Sequence, residues 1–201
     1  NPNQATLRGV ELEARQNLGI LHDVLEVISI GGNFTYIDAE VERTPLEIAR
    51  AAAFYGATQA DIDAGLIHFS GLKRKRRLFN QPEWIANGDI TFDHPDWGTK
   101  ATLSIFAISE VLDTAGSGNL LPNGNLDSIN LDRFTDEYFQ VDFVISQTFG
   151  IPRIPGEWTV KTSIKNLTDS SRGVIYDQSQ TVDDVHERSF KQGRDYTFGL
   201  G

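Results

Sequence analysis

The sequence predicts an all-β fold, a segment of an antiparallel, up-and-down transmembrane β-barrel with long extracellular loops, one of them partly helical. Three observations predict it. Apolar and polar residues alternate with period two in seven segments, as in strands with one apolar and one polar face. Many segments exceed ten residues, whereas soluble strands average about five or six and membrane-crossing strands need about nine to eleven. Short and long connections alternate, as in a barrel meander.

The clearest predicted strand is 139–149. Phe139, Val141 and Phe143 point to one side of this segment, and Gln140 and Asp142 point to the other. Successive side chains in a strand face opposite sides of a sheet, so the alternation indicates one apolar face and one polar face. The same pattern predicts six further strands, at 6–18, 24–41, 79–93, 99–112, 157–167 and 189–201.

The connections between these strands differ in length. Short ones lie near 20–23, 94–98 and 150–156, where Pro and Gly mark turns. Long ones span 42–77, 113–136 and 168–188, and we expect them to be extracellular loops. Within the first long loop, Thr44 and Pro45 match the N-cap and first position of a helix over 44–54, and a second short helix is expected at 58–67.

Aromatic residues cluster near the ends of the predicted strands. A transmembrane barrel places aromatic belts at both membrane interfaces, whereas soluble sheets also carry aromatics at strand ends. We predict membrane-interface positions for five of them: Trp84, Trp97, Phe149, Trp158 and Tyr196.

Composition excludes several classes of protein. The 201 residues carry a formal net charge of −10 with a pI of about 4.8, which argues against a nucleic-acid binder. No cysteine is present, so disulfides and thiolate metal sites are excluded. Methionine is also absent, even at position 1, and we therefore expect an excerpt or a processed product. No nucleophile elbow, phosphate loop or dinucleotide fingerprint occurs, so no catalytic residue and no cofactor is predicted.

Five consecutive basic residues at 73–77 stand out in this acidic chain. They predict a site for an anion, such as a lipopolysaccharide phosphate or an anionic ligand. The alternative is a solvated loop base that leads into the next strand. The four histidines lack partners three or four positions away, so no metal site is predicted.

Four segments resemble motifs of the TonB-dependent outer-membrane receptors: 8–14, 80–84, 165–169 and 193–199. The resemblance implies that 1–201 form the C-terminal portion of a 22-stranded barrel in the bacterial cell outer membrane. It also implies a plug domain elsewhere, contact with the TonB system through that plug, and uptake of a ferric siderophore, haem, cobalamin or oligosaccharide. The terminal aromatic of the family's last strand is absent, since the sequence stops at Gly201, which again predicts an excerpt.

The expected partners are outer-membrane lipid, lipopolysaccharide and a small-molecule or oligosaccharide ligand, without nucleic acid. Ligand contacts are expected on the loops, at Tyr55, His68, Lys73, Arg74, Arg76, Arg133 and Tyr138. Two alternatives remain. A soluble β-sandwich binding module would bury the apolar faces, and a barrel enzyme would need a catalytic set near one rim, which is not visible in the sequence.

Overall fold

The computed structural model describes residues 4–49, 60, 64, 75–115, 118–120, 126–129, 132–176 and 185–201. Fourteen strands in this part of the chain form three antiparallel sheets. The strands are β1 (Ala5–Asn17), β2 (Ile28–Glu42), β3 (Lys75–Arg77), β4 (Trp84–His94), β5 (Thr99–Ile108), β6 (Val111–Thr114), β7 (Gly118–Leu120), β8 (Leu126–Ile129), β9 (Arg133–Thr135), β10 (Tyr138–Gly150), β11 (Glu157–Lys165), β12 (Ser171–Tyr176), β13 (Val185–Lys191) and β14 (Asp195–Leu200).

The large sheet is a meander that follows the chain. Its order is β1-β2-β4-β5-β10-β11-β14, every neighbouring pair is antiparallel, and β3 pairs with the end of β2. The seven predicted strands correspond to these seven, so the predicted up-and-down antiparallel sheet is confirmed. Because neighbours are antiparallel, the short connections at 18–27, 95–98 and 151–156 share one end of the sheet, and the long connections share the other. The sheet is open, with β1 and β14 at its edges.

In four predicted strands, a boundary or an internal division differs from the structure by more than two residues. β2 begins only at Ile28, because Asp23–Leu25 forms a 3-10 turn. β4 begins at Trp84, after Asn80 in the left-handed region with a φ of 55°. The predicted strand 99–112 divides after Ile108, and the predicted strand 189–201 divides between β13 and β14, where Gly193 has a φ of 77°. Alternation of side chains does not record these breaks.

One face of the large sheet is apolar and open. Its register aligns Ile30, Ile90, Leu103, Phe143 and Ile164 in one row across five strands. Side chains on this face remain exposed, by 64% at Leu12 and 72% at Phe198. A sandwich would pack these faces against a second sheet, so the uncovered face argues against that alternative and suits contact with lipid.

The long connections contain a second sheet that the sequence did not predict. β6, β9, β12 and β13 form this loop sheet in the order β13-β12-β9-β6, although 113–136 and 168–188 were expected to be loops. Leu112, Phe134 and Ile175 form its small buried core. The segment thus has a wall, formed by the large sheet, and a structured cap at the end where its long connections lie.

The predicted helix after Thr44 is present in the described part of the loop. Residues 45–49 are α-helical. Thr44 Oγ1 accepts a hydrogen bond from Glu47 N at 3.1 Å, and Glu47 Oε2 accepts one from Thr44 N at 2.6 Å, which is a reciprocal capping box. Of the predicted helix 58–67, only 60 and 64 are among the described residues. In the described ranges, no helix has the length and apolar character needed to cross a membrane.

Candidate functional site

The polar face of the large sheet forms a cleft of about 370 Å³. Its side chains interact across strands: Arg15 lies 3.1 Å from the Asp89 carboxylate, and Asn87 donates to Asn33 at 2.8 Å. The cleft therefore offers charged and amide groups that are already paired with one another. The lining residues with polar side chains are Glu13, Arg15, Asn33, Asn87, Asp89, Ser104, Gln140 and Asp142.

A second cavity, of about 350 Å³, lies where strand β10 meets the β12–β13 hairpin of the loop sheet. We call it the mouth pocket. Its lining comprises Tyr138, Gln140, Ser170, Arg172, Phe190 and Gln192. Gln140 also lines the cleft, so the two cavities adjoin. The mouth pocket combines two aromatic rings with a few polar groups, which is the usual composition of a small-molecule site.

A chain of hydrogen bonds runs along β10 from the mouth pocket into the cleft. Tyr138 donates its hydroxyl hydrogen to Gln140 Oε1 at 2.7 Å, and Gln140 Nε2 donates to Asp142 Oδ1 at 2.6 Å. These three residues alternate along the strand and so share its polar face. Asp142 Oδ1 also accepts from the backbone N–H of Asn166 at 2.8 Å. This chain of hydrogen bonds, called the ladder below, fixes the side chains of β10 that line both cavities.

Asn166 connects the large sheet to the loops that form the mouth pocket. Its side chain is buried and donates from Nδ2 to the carbonyl oxygens of Ser170 and Gly193, both at 3.0 Å. Its Oδ1 accepts from Ser170 N at 2.8 Å. Asn166 adopts a φ of 55°, a region that Asn tolerates better than most residues. This one side chain therefore orders both loop segments beside the pocket.

The basic run is mostly engaged within the protein where the structure describes it. Lys75 pairs with Glu40 at 2.8 Å, and Arg77 pairs with Glu110 at 2.7 Å. Arg76 lies over the Phe79 ring at 4.3 Å, and burial lowers the pKa of its guanidinium. The anion site stays a prediction, as does its alternative, a solvated loop base. The four predicted contacts Tyr55, His68, Lys73 and Arg74 lie outside the described residues.

The other two predicted ligand contacts have different surroundings. Arg133 bridges Asp113 at 2.6 Å and Glu187 at 2.7 Å, and its hydrogen bond to Glu187 raises the Arg133 pKa. It thus joins strands β9 and β13 of the loop sheet. Tyr138 instead lies in the mouth pocket. The structure therefore brings Tyr138, but not Arg133, into the lining of the mouth pocket.

The predicted interface aromatics lie at both ends of the apolar face. Trp84 is opposite Tyr36 at the loop end, and Phe149 is opposite Trp158 at the turn end. Trp97 lies in the short turn at 95–97 and stacks on the His94 ring, with centroids 4.1 Å apart. Tyr196 is opposite Ile164. These positions suit two belts at membrane interfaces, and that role remains a prediction.

Sequence reasoning missed most of the mouth pocket. Gln140 was assigned to a polar strand face, but nothing singled it out as a site residue. Arg172 and Phe190 belong to a hairpin that was not predicted, and only their direct pairing across β12 and β13 places them together. Among the described residues, no group of three His, Asp or Glu side chains is arranged to hold a metal ion.

The family model described as "TonB dependent receptor-like, beta-barrel" matches residues 1–167. The chain belongs to this family. Neither a curated protein nor a solved structure matches the chain. The suspected family and the barrel fold are thus confirmed, and the family is one of outer-membrane receptors and transporters of Gram-negative bacteria, not of enzymes.

The two faces match the environments of barrels of this family, in which the apolar face of the wall is directed to lipid and the polar face to the lumen. The mouth pocket lies between the wall and the loop sheet, at the end of the large sheet where the long connections lie. Its residues Tyr138 and Gln140 fall within the matched range, and its other four residues follow it.

Proposed function

We propose that this receptor takes up a scarce ligand across the outer membrane with energy from the TonB system. The ligand classes that suit the proposal are ferric siderophores, haem, cobalamin and oligosaccharides. The observation that carries it is the mouth pocket, a cavity of about 350 Å³ where the loop sheet meets the polar face of β10. A receptor for a dilute ligand needs a concave site that is open to the outside.

The adjoining cavities support a route for the ligand. Gln140 lines both the mouth pocket and the cleft, and its side chain belongs to the chain of hydrogen bonds from Tyr138 to Asp142. A ligand that leaves the pocket along β10 meets amide and carboxylate groups rather than lipid-directed side chains. The polar wall of the cleft is therefore suited to a hydrophilic cargo.

The proposed partners follow from the faces of the wall. Outer-membrane lipid, with lipopolysaccharide in its outer leaflet, would surround the apolar face and the aromatic side chains at its two ends. The TonB system would act through a plug segment outside the 201 residues. Exposed aromatic positions such as Trp97 and Tyr36 suit contact with the interfacial layer.

The test is uptake by cells that carry the full-length receptor. A deletion strain is supplied with radiolabelled members of each ligand class, and uptake is measured with and without TonB and with a protonophore. We expect one class to depend on the receptor, on TonB and on the proton-motive force. Receptor-dependent entry that persists without TonB would refute energised uptake in favour of a passive pore.

Two variants link that uptake to the pocket. Tyr138→Ala removes a pocket ring and the first donor of the ladder, and we expect uptake to fall. The matched control is Thr102→Ala, on the same polar face but outside the pocket lining, and we expect it to retain uptake. Fractionation tests the soluble binding module at the same time. That alternative requires the receptor to leave the membrane fraction without detergent.

A further inference from the structure

The β12–β13 hairpin places a cation, Arg172, and an aromatic ring, Phe190, together in the lining of the mouth pocket. Arg172 and Phe190 are directly opposite each other in the hairpin. The Arg172 guanidinium lies 5.8 Å from the centroid of the Tyr138 ring, and the Arg188 guanidinium lies 5.2 Å from that of Phe190. A guanidinium within about 6 Å of a ring is held by cation–π attraction and keeps its N–H groups available at its edge.

Arg172 differs from the arginines that are held in close ion pairs. Arg43, Arg77 and Arg133 each lie within 2.7 Å of a carboxylate. Arg172 has no carboxylate within 4.0 Å among the residues that the structure describes. The described lining of the mouth pocket also contains no acidic side chain, although the chain as a whole carries a net charge of −10.

The charged group of the pocket favours an anion as its ligand. The side-chain amide of Gln140 is partly engaged within the protein, because its oxygen accepts from Tyr138 and its nitrogen donates to Asp142. The guanidinium of Arg172 is charged and donor-only, whereas the Gln192 amide offers both N–H donors and an acceptor oxygen. A carboxylate or phosphate can form a bidentate contact of opposite charges with a guanidinium, whereas a neutral sugar hydroxyl brings no opposite charge to it.

We propose that the mouth pocket binds an anionic group of the ligand, a carboxylate or a phosphate, at Arg172, with an apolar ring of the ligand against Phe190. This proposal rests on the proposed uptake function and narrows its ligand class to anionic compounds. A volume of about 350 Å³ lies near the lower end for small-molecule sites, so the pocket holds one or two rings of the ligand. Neutral oligosaccharides fit this lining less well.

The test measures binding of small probes to the full-length receptor in detergent. Benzoate, phenyl phosphate and the neutral analogue benzamide are titrated separately by ligand-observed NMR. We expect at least one of the two anions to bind about tenfold more tightly than benzamide, as a charge-assisted hydrogen bond provides. The stronger anion identifies the group that the pocket prefers. Equal affinities for benzamide and both anions, or no binding of either anion, would overturn the proposal.

Three variants assign the preference to Arg172. R172Q is expected to reduce the preference for an anion to less than about twofold, and R172K to retain part of it. R194Q is the matched control, because Arg194 is exposed, donates to Leu167 O and lies outside the pocket lining. An unchanged preference in R172Q, or an equal loss in R194Q, contradicts the assignment. Heat-dependent migration on gels verifies that each variant is folded.

The two proposals fail in different ways. Receptor-dependent uptake that needs TonB, together with equal binding of benzoate, phenyl phosphate and benzamide, would leave the uptake function standing and reject the anion site. An intact charge preference that R172Q abolishes, together with entry that is independent of TonB, would support the anion site and reject energised uptake.

Discussion

Substitution of Asp132 by Asn should loosen the base of two long loops. Arg43 follows β2 directly, Asp132 precedes β9, and their side chains meet at 2.6 Å with only 2% and 4% of their surfaces exposed. The pair thus joins the helical loop to the loop between β5 and β10. Asp132→Asn removes the negative charge, keeps the side-chain volume and leaves Arg43 as a buried cation.

The magnitude follows from the burial of the pair. Removal of one partner of a buried ion pair costs about 3–5 kcal/mol, because the other charge is left without compensation. Glu47 is nearby, and hydrogen bonds from Thr44 and the charges of Arg76 and Arg43 lower its pKa although burial acts to raise it. The Glu47 carboxylate partly compensates the charge of Arg43, so we expect a loss of stability at the lower end of this range, about 3 kcal/mol. Opening of the loop base should become about 150-fold more frequent.

The assay is hydrogen–deuterium exchange of the full-length receptor, followed in peptides that cover 43–49 and 132–135. The matched control is Glu40→Gln, which breaks the exposed Lys75–Glu40 pair at a similar 2.8 Å, where solvent screens the charges and little change is expected. A double variant, Arg43→Met with Asp132→Leu, should exchange nearly as slowly as the unmodified receptor. An increase below about fivefold in Asp132→Asn would refute the reasoning.

Three further predictions concern the loop connection at Asn166, the acid sensitivity of that loop, and the apolar face of the large sheet. Asn166→Ala should destabilise the receptor by at least about 2 kcal/mol in urea unfolding, because it loses buried hydrogen bonds and places Ala at a positive φ. Asn166→Gly relieves the strain of the positive φ but also lacks the hydrogen bonds, so it should recover only part of the lost stability. Full recovery with Gly would mean that backbone strain alone causes the effect. A hydrogen bond from Lys191 lowers the pKa of Asp169, so the stabilisation by this pair is present at neutral pH and is lost as the pH falls below about 3.8. The protease sensitivity of the loop that contains Asp169 should therefore rise at acidic pH. Asp169→Asn should abolish this pH dependence. Ile90→Lys on the apolar face should reduce the free energy of folding into lipid vesicles by about 2–4 kcal/mol, whereas Asn87→Lys on the polar face should reduce it much less. Equal losses in the two variants would mean that the faces are misassigned.

The wall of the receptor was predictable from sequence because its information is local. Alternation places Phe139 and Phe143 on one face and Gln140 and Asp142 on the other without any knowledge of the partner strands. The structure confirms the faces through the register of the neighbouring strands. Strand ends were less accurate, because the turns at Asp23 and Gly193 interrupt the backbone without interrupting the alternation.

The loop sheet was not predictable in the same way. β9 has three residues and β6 has four, too few for alternation to be recognised. Their pairing depends on a core of Leu112, Phe134 and Ile175, which are far apart in sequence. The mouth pocket was not predictable for the same reason, because Arg172 lies near Tyr138 only when the position of the β12–β13 hairpin is known.

The division between wall and loop sheet also predicts where ligand specificity resides. The wall supplies Tyr138 and Gln140, whose polar groups are fixed by the ladder to Asp142. The hairpin supplies Arg172 and the donors that remain available for a ligand. Substitutions in β12 and β13 can therefore change which ligand binds without disturbing the pairing of the large sheet, because these strands belong to a separate sheet. Exchange of this hairpin between related receptors should alter ligand preference while barrel folding persists, and a chimera that fails to fold would show that the two layers depend on each other.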